Sequence, residues 1–141
     1  MIYTIKIKLP NPTEHEHWEC VMEVDGCSSL EDLHLIIQDT VEFDNDHMFE
    51  FYIAKTQHSR ECKHFKCNDQ SICNITIESF IETSQGKKMF YLFDYGDSWV
   101  FQVSKTRKKP FESVSNVNYP NVMSQSDFKP EQYSDWDEDD F

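Results

Sequence analysis

The chain has 141 residues, 26 of them acidic and 13 basic, for a formal net charge of −13, which works against non-specific attraction to phosphate backbones. Eleven Phe, six Tyr and three Trp against three Gly and five Pro exclude a disordered composition, and the length suits one core that buries roughly two-thirds of the unfolded surface. No run approaches the roughly 18 apolar residues of a membrane span, and the alternating start MIYTIKIKLP does not read as a signal peptide, so a cytoplasmic protein with reduced cysteines and no membrane association is expected.

Residues 3–9, YTIKIKL, alternate with period two: Tyr3, Ile5, Ile7 and Leu9 fall on one face and Lys6 and Lys8 on the other, the pattern of a half-buried strand. After a turn rich in Pro, residues 17–24 repeat the pattern with Trp18, Cys20, Met22 and Val24 opposite Glu19 and Glu23, so the two segments are expected to pair antiparallel. A helix follows. Ser28 and Glu31 are spaced as a capping box, Glu31 and Asp32 suit the positive end of the helix dipole, and Leu30, Leu33, Ile37 and Val41 form one stripe with His34 at its margin.

Residues 47–55, HMFEFYIAK, return as a strand, whereas 56–74 lack usable periodicity and read as a flexible insertion. Thr76 caps a short helix in TIESFIE. The segment KMFYLFDYGDSWVFQV reads as a hairpin closed by a two-residue loop at Gly96-Asp97, with Gly96 supplying a positive φ. That register pairs Asp94 with Trp99 and Phe93 with Val100, and both faces come out apolar, so the two strands are expected to be central. The fold class is α+β: a mainly antiparallel sheet with one long helix and one or two short helices packed on it. Residues 1–128 form a single α+β domain in this reading, and 129–141, acid-rich and ending DEDDF, form an acidic C-terminal tail.

LEDLHLIIQ (30–38), DHMFEFYI (46–53), YLFDYGDSW (91–99) and a late Tyr119-Pro120 together resemble the plasmid pRi open-reading-frame-three-like family, some of whose members are labelled TnpR-like. The resemblance covers most of residues 2–125 and implies an α+β domain of unestablished biochemical role. In it His34, Gln38, His47, Asp94, Gly96, Asp97 and Trp99 occupy the motif positions. Where members often carry a His shortly after the tryptophan, this chain has Phe101 and Gln102, and its ending is PEQYSDWDEDDF in place of a Gly-rich acidic one.

A carboxylate such as Asp94 on an apolar face is buried only with a partner. Asp94 and Asp97 either accept amide hydrogen bonds within the turn or line a groove with His34, Gln38, His47, Tyr95 and Trp99. His58, Cys62, His64, Cys67 and Cys73 crowd into the insertion. Cys62, His64, Cys67 and Cys73 form a possible structural zinc set, although the spacings lack the paired C-x2-C knuckle. Two arginines, Arg60 and Arg107, and no marked Ser or Tyr nucleophile argue against recombinase chemistry.

The function expected is a non-enzymatic binding or interaction module of mobile-element origin, whose partner is a protein or small ligand in preference to nucleic acid. Two alternatives stand beside it. One is a metal-dependent enzyme using His34 or His47 with Asp94 or Asp97; the other is a DNA-binding accessory protein acting through KTRKK, residues 105–109.

Overall fold

Alternation of apolar and polar side chains builds β1 (Ile2–Lys8) and β2 (Glu19–Asp25), which pair antiparallel with Ile5 opposite Met22 and Ile7 opposite Cys20. The computed structural model describes residues 1–10, 17–127 and 129–132. Among the described residues the other elements are α1 (Leu30–Val41), β3 (Phe49–Ala54), β4 (Cys62–Lys66), α2 (Ile77–Ser84), β5 (Lys88–Phe93), β6 (Trp99–Lys105) and β7 (Asn121–Gln125), with a 3-10 turn at Gln70–Cys73. All neighbouring strands run antiparallel in one seven-stranded sheet of order β4-β3-β5-β6-β1-β2-β7. None of these helices is long and apolar enough to cross a membrane.

Period-two alternation gives the sheet two unlike faces. One, carrying Ile5, Ile7, Met22, Phe51, Tyr91, Phe93 and Phe101, packs against Leu30, Leu33 and Ile37 of α1 and Phe80 of α2 to form the main core. The other carries a small satellite cluster of Tyr52, Ala54 and Phe90, with Cys62, Leu92 and Val100 at its margin. Aromatic rings dominate the helix side: Phe51 meets Phe80 edge-on at 5.6 Å, and Trp18 meets Phe101 at 5.8 Å.

Three expectations are corrected. The capping box is one residue later: Asp32 N–H donates to the Ser29 hydroxyl and Ser29 N–H to the Asp32 carboxylate, both at 3.0 Å. Both pairs have the S-x-x-acid spacing, so sequence alone does not choose between them. Ser29 sits opposite Thr76, the cap of α2, where Leu30 N–H donates to the Ile75 carbonyl at 2.9 Å and Ile77 N–H to the Ser28 carbonyl at 2.8 Å, tying the two helix starts together. The helix that follows, expected to be long, has 12 residues.

The segment 56–74 is not a structureless insertion. It contains β4, whose pairing with β3 sets Phe65 opposite Phe51 and His64 opposite Tyr52. β4 escapes a hydropathy reading because it is an edge strand with one large apolar residue, and edge strands carry charge to discourage further pairing.

The β5–β6 hairpin turns through five residues, 94–98, and not two, so Phe93 pairs with Trp99, Leu92 with Val100 and Tyr91 with Phe101. Gly96 has no positive φ; Asp94 and Ser98 take the left-handed conformation instead, at φ 61° and 53°. The Asp94 carbonyl accepts from Ser98 N–H at 2.6 Å, and its carboxylate accepts from the Gly96 and Asp97 amides at 3.1 and 3.3 Å. A side chain that satisfies two loop amides stabilises a wider turn than a glycine alone would select. The central placement of β5 and β6 holds as expected.

Replacing the cap distinguishes the two serines. Ser29→Ala is expected to lower the unfolding free energy by about 1 kcal/mol in urea titration, while Ser28→Ala changes it by less than about 0.5 kcal/mol.

Candidate functional site

The motif residues of α1 face inward. His34 and Gln38 lie one turn apart on the buried stripe, each 3% exposed. Both meet the hydroxyl of Tyr91 on β5: Gln38 Nε2 donates to it at 2.9 Å, and the hydroxyl contacts His34 Nδ1. The other imidazole nitrogen, Nε2, lies 2.7 Å from Asn45 Oδ1, and Asn45 N–H donates to Gln38 Oε1 at 3.0 Å. One donor assignment satisfies the whole ring of bonds. Gln38 donates to Tyr91, Tyr91 to His34 Nδ1, and His34 Nε2–H to the Asn45 carbonyl.

The imidazole stacks on Phe49 at 3.6 Å with the planes 5° apart. Burial pushes its pKa down from 6.5 to about 4, with the Asn45 hydrogen bond opposing that shift. Protonation would also turn Nδ1 into a second donor toward Tyr91. Burial likewise raises the Tyr91 phenol well above its ordinary value, with the Gln38 hydrogen bond opposing. Tyr91 engages Nδ1 within the core and Asn45 covers Nε2 from the loop, so both ring nitrogens of His34 are hydrogen-bonded.

Asp94 is 6% exposed at the start of the β5–β6 turn, and its second carboxylate oxygen lies 3.4 Å from His47 Nε2. His47 is also 3.6 Å from the Asp46 carboxylate and edge-on to Phe93 at 5.9 Å. The Tyr95 hydroxyl points to the Phe49 carbonyl at 3.4 Å, while the Trp99 ring packs edge-on to Phe43 at 5.1 Å and stacks with Phe101. Asp97 is exposed. The expected groove between helix and hairpin is therefore split: His34, Gln38 and the Trp99 ring serve the packed interior, and His47 and Asp94 meet at the loop. Asp97 and Trp99 also line a shallow cavity of about 280 Å³ with Leu9, Pro10 and Gln57.

The expected zinc ligands are divided by the sheet. Cys62 and His64 alternate onto the face away from the helices. Cys67 packs on the helix side and accepts from Phe49 N–H at 3.5 Å, and Cys73 is exposed in the 3-10 turn. Among the described residues no three His, Cys, Asp or Glu side chains are grouped to hold a metal ion. In the basic run, Lys108 is 3.3 Å from the buried Glu23 carboxylate and lies over the Phe111 ring at 4.5 Å. Of the expected tail, Lys129 pairs with Glu42 at 3.1 Å, and Gln132 bonds Asp44 N–H and the Asp46 carboxylate, both at 2.7 Å. Residues 133–141 lie outside the described residues.

A further concavity lies on the helix-free face, where the β3–β4 connection, 55–61, stands beside the strands. It measures about 440 Å³, with Tyr52, Leu92 and Val100 as an apolar floor and Gln57, His58, Ser59 and Ser98 at the rim. Within it a chain of three side chains was not anticipated. His64 Nε2 lies 2.9 Å from Cys62 Sγ, and His64 Nδ1 meets the carboxylate of Glu50. The Glu50 side chain is 8% exposed and that of His64 44%. Cys62-x-His64 at strand spacing was visible in the sequence; the β3–β4 register that adds Glu50 was not.

The family of plasmid pRiA4b ORF-3-like proteins matches residues 1–136, and the chain belongs to that family. Its fold is shared with a crystal structure of a protein of unknown function from Methanosarcina mazei Go1, at a TM-score of 0.71 and 18% identity, covering 88% of this chain and 68% of that one. No curated protein matches the sequence.

Two measurements check the buried network. Tyr91→Phe leaves the Gln38 amide and His34 Nδ1 without partners and is expected to cost about 2 kcal/mol in chemical denaturation. Because His34 binds its proton more weakly folded than unfolded, its contribution to stability is complete above about pH 6.5 and is lost as pH falls through about 4. The loss amounts to about 3 kcal/mol, and the His34 Cε1–H resonance should titrate near the lower value.

Proposed function

We propose that this protein is a binding module whose ligand is a small molecule seated on the helix-free face of the sheet. The observation that carries the reading is the 440 Å³ cleft, in which the apolar floor of Tyr52, Leu92 and Val100 meets a polar rim. Small-ligand sites share that size and that mixture of a greasy floor with a few polar groups. The helix side, by contrast, is filled by aromatic packing, and its polar residues are bonded to one another. A ligand bound beside Val100 would also touch Ser98, so the motif turn would shape the mouth of the cleft without its carboxylates contacting the ligand.

A mobile-element origin is part of this proposal and is supported by the plasmid reading frame after which the family is described. A small ligand is preferred over nucleic acid because the net charge is −13 and Lys108 of the basic run is occupied by Glu23. The alternative of a metal-dependent enzyme using His34 lacks support, since both of its ring nitrogens are already hydrogen-bonded, to Tyr91 and to Asn45.

Fragment screening by NMR tests the reading. Binding fragments are expected to perturb the amides of Tyr52, Leu92 and Val100, and Leu92→Trp, which fills the floor, should weaken them at least tenfold, about 1.4 kcal/mol. Hits confined to other surfaces, or equal affinity for the filled variant, would overturn it.

A further inference from the structure

The Cys62–His64–Glu50 chain has a directionality that simple ligand binding does not require. Alternation along β4 places Cys62 and His64 on one face, two residues apart, so the thiol and imidazole become neighbours. The ladder with β3 sets His64 opposite Tyr52, which brings Glu50, two pairs further along and on the same face, into reach of the far side of the imidazole. A carboxylate can only accept, so the proton on the ring sits at Nδ1, facing Glu50. Nε2 is left with its lone pair directed at the Cys62 thiol. Nucleophile, base and orienting carboxylate therefore stand in the order that covalent catalysis uses.

The other polar contact of Cys62 Sγ is to the Arg60 carbonyl at 3.9 Å, too long to hold the thiol proton away from His64. Cys20, by comparison, is sealed in the core, and burial raises its thiol pKa to about 11. Cys62 is half-buried and opens onto the cleft, with Tyr52, Leu92 and Val100 alongside.

We infer that Cys62 is an acyl acceptor, taking an acyl group from a thioester or activated ester bound in the cleft. This rests on the small-ligand reading above and names the ligand's class. As the Cys62 sulfur bonds to the carbonyl carbon, its proton passes to His64 Nε2. The tetrahedral adduct then collapses, the bond from carbon to the leaving sulfur or oxygen breaks, and Nε2 returns the proton to the leaving group. The products are a thioester on Cys62 and a free thiol or alcohol, with no change of oxidation state. Glu50 is a positioning residue: it holds the imidazole with Nε2 toward sulfur and balances the charge while the ring carries two protons. An acyl donor fits better than an electrophile lacking a leaving group because the base is placed to give back the proton it takes. The apolar floor gives the acyl chain a surface to lie on.

The full chain is incubated with p-nitrophenyl acetate and p-nitrophenyl hexanoate, with p-nitrophenolate release followed by absorbance and the acylated residue located by peptide mass mapping. The inference expects one acyl group per chain on Cys62, none there in Cys62→Ser, and acylation slowed about 100-fold in His64→Gln. Glu50→Gln is expected to slow acylation at saturating ester, and Glu50→Asp, which keeps a carboxylate toward His64, to restore part of the rate, a rescue that a merely structural role would not give. Acyl groups scattered over Cys27, Cys73 and lysines, or a rate indifferent to His64, would overturn it. Fragment binding to Cys62→Ser separates the two proposals. Retained binding with no acylation of the unmodified chain overturns acyl capture alone, whereas loss of fragment binding from every variant and from the unmodified chain removes the cleft reading as well.

Discussion

The width of the turn between β5 and β6 decides what each face of the sheet is made of. Side chains alternate strictly along a strand, so closing the hairpin with five residues sets Trp99 level with Phe93 and Phe101 level with Tyr91. Four aromatic rings thereby share the side that the helices cover, and Leu92, Val100 and Phe90 are left on the other. A two-residue closure would have moved one whole strand's side chains to the opposite side. Asp94 holds the wider turn open by binding two loop amides and leaving the strand in the left-handed conformation. The aromatic core and the open cleft both follow from that carboxylate.

The polar motif residues have a parallel role inside the core. Tyr91 brings a hydroxyl into an interior otherwise lined by hydrocarbon, a placement that is destabilising unless the group is hydrogen-bonded. Gln38 and His34 meet it from α1, and Asn45 closes the ring of bonds from the loop that leads to β3. Each member has a defined donor or acceptor role, so the network fixes the rotation of α1 against the sheet as well as its position. Apolar contacts alone would tolerate more slippage, since they carry no direction.

Local patterns made much of this legible in the sequence. β1 and β2 announced themselves through Tyr3, Ile5 and Ile7 alternating with lysines, α1 through its stripe, and α2 through Thr76. What stayed hidden depends on residues far apart in the chain. Ser28 and Ser29 compete as caps on equal local terms, and Ser29, the one used, sits opposite Thr76, some fifty residues on. The turn at Asp94 differs in length because a glycine in the middle of a loop signals a tight closure, while amide acceptance by Asp94, one of the two roles its position offers and the one the structure shows, does not by itself fix how many residues the turn holds. The candidate site followed the same rule. Cys62 and His64 were noticed together and grouped with Cys67 and Cys73 by proximity in sequence, but strand alternation separates those four and the ladder supplies Glu50 from another element.

β4 is the outermost strand of the sheet, hydrogen-bonded to β3 on one side only. Its ladder is thus among the easiest parts of the molecule to detach, and the amides of edge strands commonly exchange with solvent through openings much smaller than global unfolding. Such a fluctuation would pull the sulfur and imidazole away from the carboxylate while Tyr91 and its neighbours stayed in place. On the acyl-acceptor proposal, the thiol's reactivity would be coupled to the breathing of one border strand, and a molecule that clamps that border would raise it without touching the sulfur.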